Sequence, residues 1–245
     1  MSRTMLLRHL ITLFIIGSEA QAAPLLIIAN EGRQAPAIIS NHGNLTGGML
    51  LELGQALAQE AKQSVKYQLF PRKRLERMAG QGRFDYVCLL NPAWLPATMP
   101  LRWGPAMLDE SNVLLFRSGT HSPASIQEIY GETLSTVLGY RYSSLETLFQ
   151  QGQLKRSDAL TEEQLMRKVQ AGREHYGIIN RFSLRWFNRS LPAEQRLQEG
   201  LVINSASLHC AVPAKHPQAN ILLGHLQRLQ DKGFFHDLQS RYLKQ

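Results

Sequence analysis

Cysteine is scarce in this chain, with only Cys88 and Cys210 among 245 residues. Two cysteines cannot build a disulfide scaffold, though an even count permits one bond or two buried thiols. No Cys-x-x-Cys or His-x-x-x-His spacing occurs and the histidines are scattered, so no metal site is expected. Long apolar runs are missing as well. The longest, Leu10-Ile11-Thr12-Leu13-Phe14-Ile15-Ile16, falls short of the roughly twenty residues a membrane span needs. There is no low-complexity segment, and 44% hydrophobic against 19% charged residues is the composition of a globular chain. Acidic residues are outnumbered 27 to 19, yet no aromatic-basic motif of a nucleic-acid module accompanies the net +8. The excess reads as a solvated basic surface, with no nucleic acid as partner. No nucleophile constellation appears either. Ser143 and Ser144 have no histidine near them in sequence, so no enzyme and no cofactor is expected.

What is present begins with an address. Arg3 and Arg8 precede the apolar run, and Ala20-Gln21-Ala22 follows. A basic segment, a short apolar core and a small-x-small site read as a secretory signal cut after Ala22. Removal of Arg3, Arg8 and Glu19 leaves 25 basic and 18 acidic residues, a net +7.

The remaining chain is organised around an echo. Gly82-Arg83-Phe84-Asp85-Tyr86-Val87-Cys88-Leu89-Leu90-Asn91 reads as a turn and a buried strand ending on asparagine. About ninety residues later Gly172-Arg173-Glu174-His175-Tyr176-Gly177-Ile178-Ile179-Asn180 repeats the arrangement. A helix-like segment precedes each. Two α/β lobes of similar build follow from this, each with a polar strand end, and ligands collect at the carboxyl ends of such strands.

The order of elements supports two lobes. Leu25–Ala29 reads as a buried strand ending in the polar turn Asn30-Glu31-Gly32-Arg33. Thr46-Gly47-Gly48 opens a helix carrying Leu50, Leu53, Leu57 and Ala61. Val65–Leu69 alternates as a second strand, and Pro71 suits the first position of a helix continuing through Arg74. With the strand after Gly82 this is β-α-β-α-β, which implies parallel strands. Asn91–Pro105, with four prolines, reads as irregular, and Val113–Phe116 as the next strand. Beyond it, Ser125–Glu128 and Thr161–Gln164 fit capping boxes. Leu134–Leu138 reads as a strand running into Gly139-Tyr140-Arg141-Tyr142, and a helix starts near Ser144. Leu208–Val212 is a late strand, followed by two closing helices.

This chain resembles the bacterial extracellular solute-binding proteins of family 3, the polar amino acid-binding proteins of ABC transporters. The matching features are Thr46-Gly47-Gly48 before the first helix, the Pro71–Arg74 segment before Gly82–Asp85, Trp103-Gly104-Pro105, Gly139-Tyr140, and the tail from Leu229 through Gly233-Phe234-Phe235 to Tyr242. The resemblance implies a two-lobed α/β fold of the type II periplasmic-binding-protein kind, each lobe a mostly parallel sheet flanked by helices. It implies residues 1–22 as signal peptide, 23–116 plus 206–245 as lobe one, and 117–205 as lobe two. It implies a monomer in the periplasm that captures a small polar ligand, amino acid-like or a small organic anion, for an inner-membrane ABC permease or a membrane sensor. A periplasmic enzyme of the cyclic-acid dehydratase type is the alternative on the same fold. The resemblance also sets both cysteine strands in lobe one, which favours a Cys88–Cys210 bond.

Carried over residue by residue, the family's contacts fall on Glu31, Arg74, Asn91, Trp94, Tyr140, Arg141, Tyr142 and Asn180. Two departures stand out. The arginine that clamps a ligand carboxylate in the family has no counterpart near Ala97, and the aspartate that pairs with the ammonium is Asn180 here. Arg141 is the substitute cation. Apart from Arg74, this set carries one cation and one anion, Arg141 and Glu31, and it disfavours a free α-amino acid, because an unpaired buried charge is costly.

Overall fold

The computed structural model describes residues 23–42 and 44–243. The expected leader over residues 1–22 lies outside them. The first half of the chain runs β1 (Leu25–Asn30), β2 (Ile39–Asn41), β3 (Asn44–Gly47), α1 (Met49–Ala61), β4 (Val65–Phe70), α2 (Arg72–Gln81), β5 (Tyr86–Leu90) and β6 (Leu101–Arg117). The second half runs β7 (Thr133–Val137), α3 (Glu146–Gln150), β8 (Lys155–Ala159), α4 (Glu162–Gln170), β9 (Tyr176–Asn180), α5 (Arg181–Asn188), β10 (Leu197–Pro213), α6 (Ala219–Asp231) and α7 (Phe234–Leu243).

Eight strands make one sheet in the order β4-β1-β5-β10-β6-β9-β7-β8. Its two ends are parallel trios. β1 pairs with β4 and β5, and β7 pairs with β8 and β9. Between them β6 and β10 run antiparallel through both lobes. The echo is therefore real in three dimensions. β5 and β9 are each five fully buried residues, and each follows a helix and a glycine with positive φ, Gly82 at 66° and Gly172 at 72°.

Both faces of each trio are covered, because the strands place alternate residues on opposite sides. In lobe one, Ile27 and Tyr86 meet Leu50 of α1 and Leu222 and Leu226 of α6, while Ile28 and Val87 meet Leu75 and Ala79 of α2. At the β7-β8-β9 end, Val113 and Leu115 of the crossing strand β6 meet Leu165 of α4 and Leu184 of α5. Leu114 and Ile178 turn the other way, onto Tyr142, Leu145 and Leu154. Phe182 of α5 packs into the lobe-one cluster, and Arg185 of α5 donates to the Leu243 carbonyl of α7 at 3.0 Å, so the lobes also touch behind the sheet.

Cys88 and Cys210 are bonded across β5 and β10, 122 residues apart in sequence and fully buried. Asp85 holds the turn before β5 by accepting from the Leu26 amide at 2.6 Å. Gly48 precedes α1 at φ 92°, and a Cβ there would stand 2.6 Å from the Pro36 carbonyl. That close approach is what lets Pro36 and Ala37 accept from the first amides of α1, at 2.9 and 3.1 Å.

Four sequence expectations are corrected. Residues 101–105 are strand, because Gly104 and Pro105 sit at register shifts between β6 and β10, where proline is tolerated. β10 begins eleven residues before Leu208. Pro71 stands just ahead of α2, at its cap. Ser125 opens only a short 3-10 turn, Ile126–Ile129, with Glu128 accepting from the Ala124 amide at 3.2 Å. β8, Lys-Arg-Ser-Asp-Ala, was not anticipated. It is an edge strand rich in charge, which suits an unpaired edge but hides apolar alternation. No described helix is long and apolar enough to cross a membrane.

Candidate functional site

A cleft of about 1120 Å³ opens where the strand ends of the two lobes face each other. One wall is the turn after β1, the start of α2 and Trp94. The opposite wall is the turn after β7, the start of α4 and the end of β9. The crossing strands form its floor through Glu110, Asn112 and Asn204.

Polar side-chain pairs bridge β6 and β10 where they cross, and of these the Asn112–Asn204 pair lines the cleft. Ser207 donates to Asp109 at 2.8 Å, Ser111 and Ser205 bond at 2.9 Å, and Asn112 donates to Asn204 at 2.9 Å. Each pair sits at directly facing positions of the two strands. Cross-strand pairs of this kind stabilise a ladder by a few tenths to about 1 kcal/mol each.

Of the expected site residues, Glu31, Trp94, Tyr140, Arg141, Tyr142 and Asn180 line the cleft. Arg74 and Asn91 do not, and these two are corrected. Arg74 lies exposed on α2 with its guanidinium 4.9 Å from the centre of the Phe70 ring. Arg72, two residues earlier, is the α2 arginine at the cleft, held by Glu76 at 2.7 Å and by the Trp94 carbonyl. Asn91 spends its side chain on structure. It accepts from the Ala93 amide at 2.9 Å and donates to the Ser207 carbonyl at 2.8 Å.

The six lining residues play unequal parts. Trp94 is 38% exposed and Arg33 stands 5.8 Å over its ring. Tyr142 is buried, and its hydroxyl accepts from the Val137 amide at 3.1 Å. Burial pushes that hydroxyl's pKa up to about 12, with the Val137 bond and Arg156 opposing. Arg156 braces the whole turn from β8. It donates to the Tyr140 and Val137 carbonyls, each at 3.2 Å, and pairs with Asp158 at 2.8 Å. Arg141 sits on the rim of this turn, exposed, and makes no hydrogen bond or ion pair among the described residues. Asn180 caps α5 by accepting from the Phe182 amide at 2.8 Å, and its Nδ2 donates to Glu110.

Sequence reading missed the charges at the heart of the cleft. Arg33, in the same turn as Glu31, pairs with Glu110. Its Nε is buried with no partner among the described residues. Glu162, the first residue of α4, is 6% exposed, and its Oε2 also lacks a partner. Burial drives the Glu162 carboxyl up to about 7. The Glu110 charge adds to the rise, and the nearby Ser183 hydroxyl, Arg33 and Tyr140 oppose it. Thr161 caps the same helix by accepting from the Gln164 amide at 3.1 Å, as the second capping box implied. That box was the only sequence signal near Glu162, and it spoke for a helix start, not for a site. Glu110 gave none, lying in a stretch read as irregular up to Pro105 and as strand only from Val113.

The cleft's charges are thus arginines 33, 72 and 141 against glutamates 31, 76, 110 and 162. The single-cation, single-anion inventory drawn from sequence is overturned, and with it the electrostatic case against a zwitterionic ligand. Among the described residues no group of three or more His, Cys, Asp or Glu gathers to hold a metal.

No protein-family model matches this chain, and no curated protein does. Solved structures do. The GluR0 ligand-binding core in complex with L-glutamate superposes with a TM-score of 0.71 at 14% identity, over 91% of this chain and 99% of that one. An ancestral amino acid-binding protein described as a precursor of cyclohexadienyl dehydratase gives 0.67 at 14% identity, over 90% and 96%. The arginine-, lysine-, histidine-binding protein ArtJ from Geobacillus stearothermophilus gives 0.65 at 13% identity, over 90% and 95%. At such identities the likeness is one of fold, the two-lobed α/β architecture of type II periplasmic binding proteins.

Proposed function

We propose that this protein is a periplasmic solute-binding protein that captures one small polar ligand between its lobes. The observation that carries the reading is the cleft itself, at the carboxyl ends of β1, β5, β7 and β9, where α/β sheets take ligands. Its size is that of a small-molecule site, and its polar groups converge from both walls. The structural neighbours are amino acid binders by their descriptions, which supports a ligand of that size and polarity. Lobe one would comprise residues 23–116 plus 206–245, and lobe two residues 117–205. The ligand would meet Trp94 and Arg33 on one side and Tyr140, Arg141 and Glu162 on the other. The basic, apolar, small-residue order of residues 1–22 supports export with cleavage after Ala22, and an inner-membrane permease or sensor as the partner.

Amino acids, small carboxylates, polyamines and sugars are the compounds to screen by thermal shift. A ligand that binds only the native state raises stability by about 2.7 kcal/mol at a hundredfold excess over its dissociation constant. A clear rise in melting temperature with one compound class is expected. No rise with any class would defeat the reading.

A second reading has one observation in its favour. A carboxyl that titrates near pH 7 inside a cleft suits a general acid or base, as Glu162 does. A dehydratase acting on a cyclohexadienyl acid would use it so. Following the ultraviolet absorbance of such an acid distinguishes the readings, and the binding reading expects no turnover.

A further inference from the structure

Glu162 is a buried carboxyl of the cleft with no ion-pair partner among the described residues. It is 6% exposed, it lines the cavity, and its Oε2 has no hydrogen-bond partner among the described residues. A buried polar atom left unpaired is costly, and this one lies on the wall of the cleft, where a ligand can answer it. The groups facing it are Glu110, Arg33, whose Nε is itself unpaired, Tyr140 and Ser183. Glu110 from β6 is engaged by Arg33 and by Asn180. Arg33, from the turn after β1, is drawn to Glu110. Tyr140 from the turn after β7 and Ser183 from α5 offer only hydroxyls. With Glu162 ionised, the deep cluster of Arg33, Glu110 and Glu162 carries one surplus negative charge. Asn180, the strand-end residue, cannot answer a cation, because its side-chain oxygen caps α5 and its amide is given to Glu110.

We infer that Glu162 is a ligand-binding residue and that it takes a protonated nitrogen group, an ammonium or a guanidinium, of the captured molecule. This rests on the cleft being the ligand site. It adds which group of the ligand points to α4 and which residue selects for it. Tyr140 lines the cleft beside the carboxylate. The inference has a proton signature. The empty site holds Glu162 partly protonated at neutral pH, and the incoming cation favours the ionised form, so the carboxyl proton passes to solvent on binding.

The test uses the full chain with two matched sets of probes. L-arginine, L-lysine, putrescine and agmatine carry a protonated nitrogen, whereas glutarate, 1,4-butanediol and glucose do not. Calorimetric titration at pH 7 in two buffers of different ionisation enthalpy gives affinity and proton release together. A nitrogen-cation probe should bind best and release about half a proton per ligand from wild type. Glu162→Gln should weaken it by about tenfold or more and abolish the release. Unliganded Glu162→Gln should melt no lower than wild type, and the proton release is read on wild type, independent of any variant. Equal affinity in the variant, or a best probe from the nitrogen-free set, would overturn the inference and leave the cleft reading standing. Failure of every probe in both sets would take both down.

Discussion

Arg33 and Glu110 form an ion pair that ties the turn after β1 to the crossing strand β6, with 15% and 16% of their side chains exposed. Asn180 donates to the same carboxylate from the far lobe. One glutamate on a strand shared by both lobes therefore joins lobe one to lobe two at the floor of the cleft.

Replacing Glu110 by Gln should cost about 1–3 kcal/mol of stability, because it leaves the buried Arg33 charge without its partner. Urea denaturation of the unliganded protein measures this. An unchanged midpoint would show that the pair is only a surface contact.

Arg141→Ala should behave in the opposite way. Arg141 makes no bond among the described residues, so the unliganded variant should match wild type within about 0.5 kcal/mol. Arg141 lines the cleft, and the proposed function makes it a ligand contact, so affinity for an anionic or zwitterionic ligand should fall. Calorimetry on wild type and variant decides the matter, and equal affinities would remove Arg141 from the site.

Glu162 sets a pH dependence whose sign can be worked out. Its folded pKa of about 7 stands above the ordinary 4.5, so the native state holds a proton that the unfolded chain has lost between those values. Stability should therefore fall as pH rises from about 4.5 to 7, by an amount on the order of 3 kcal/mol from this group alone. Glu60, Glu128 and Asp158 are shifted down and act the other way at lower pH, so the difference between wild type and Glu162→Gln isolates the effect. The variant should be the more stable of the two at pH 8 and lose its advantage near pH 4.5. Parallel melting curves across that range would disprove the assignment.

The Cys88–Cys210 bond closes a loop of over a hundred residues at the centre of the sheet. In the chain-entropy model such closure contributes about 3–5 kcal/mol. Thiol counting on denatured, unreduced protein should find none free. A Cys88→Ser, Cys210→Ser double variant should lose stability of that order in urea.

The sequence made β1, β5 and β9 legible because these strands are buried on both faces and read as apolar runs, Leu25–Ala29 and Val87–Leu90 among them, whereas the charged edge strand β8 escaped it. It also disclosed the polar turns at both walls, since Asn30–Arg33 and Gly139–Tyr142 follow such runs. The crossing strands were half hidden. β6 carries Gly104 and Pro105 at a bulge, and β10 mixes Asn204, Ser205 and Ser207 with its apolar residues, so neither alternates cleanly. The site's charges were hidden for a different reason. Glu162 and Arg33 meet only because α4 and the turn after β1 come from opposite lobes, and no local spacing records that. Arg74 and Arg72 differ by two positions on one helix, and only the orientation of α2 decides which reaches the cleft.

In the proposed function one ligand is held by both lobes at once. Hydrogen exchange of the full chain, with and without the tightest compound from the screen, tests it most directly. The account predicts added protection in the turn of residues 30–33 and in the turn of residues 139–142 together. Protection confined to one of these turns, or lying elsewhere on the surface, would contradict it.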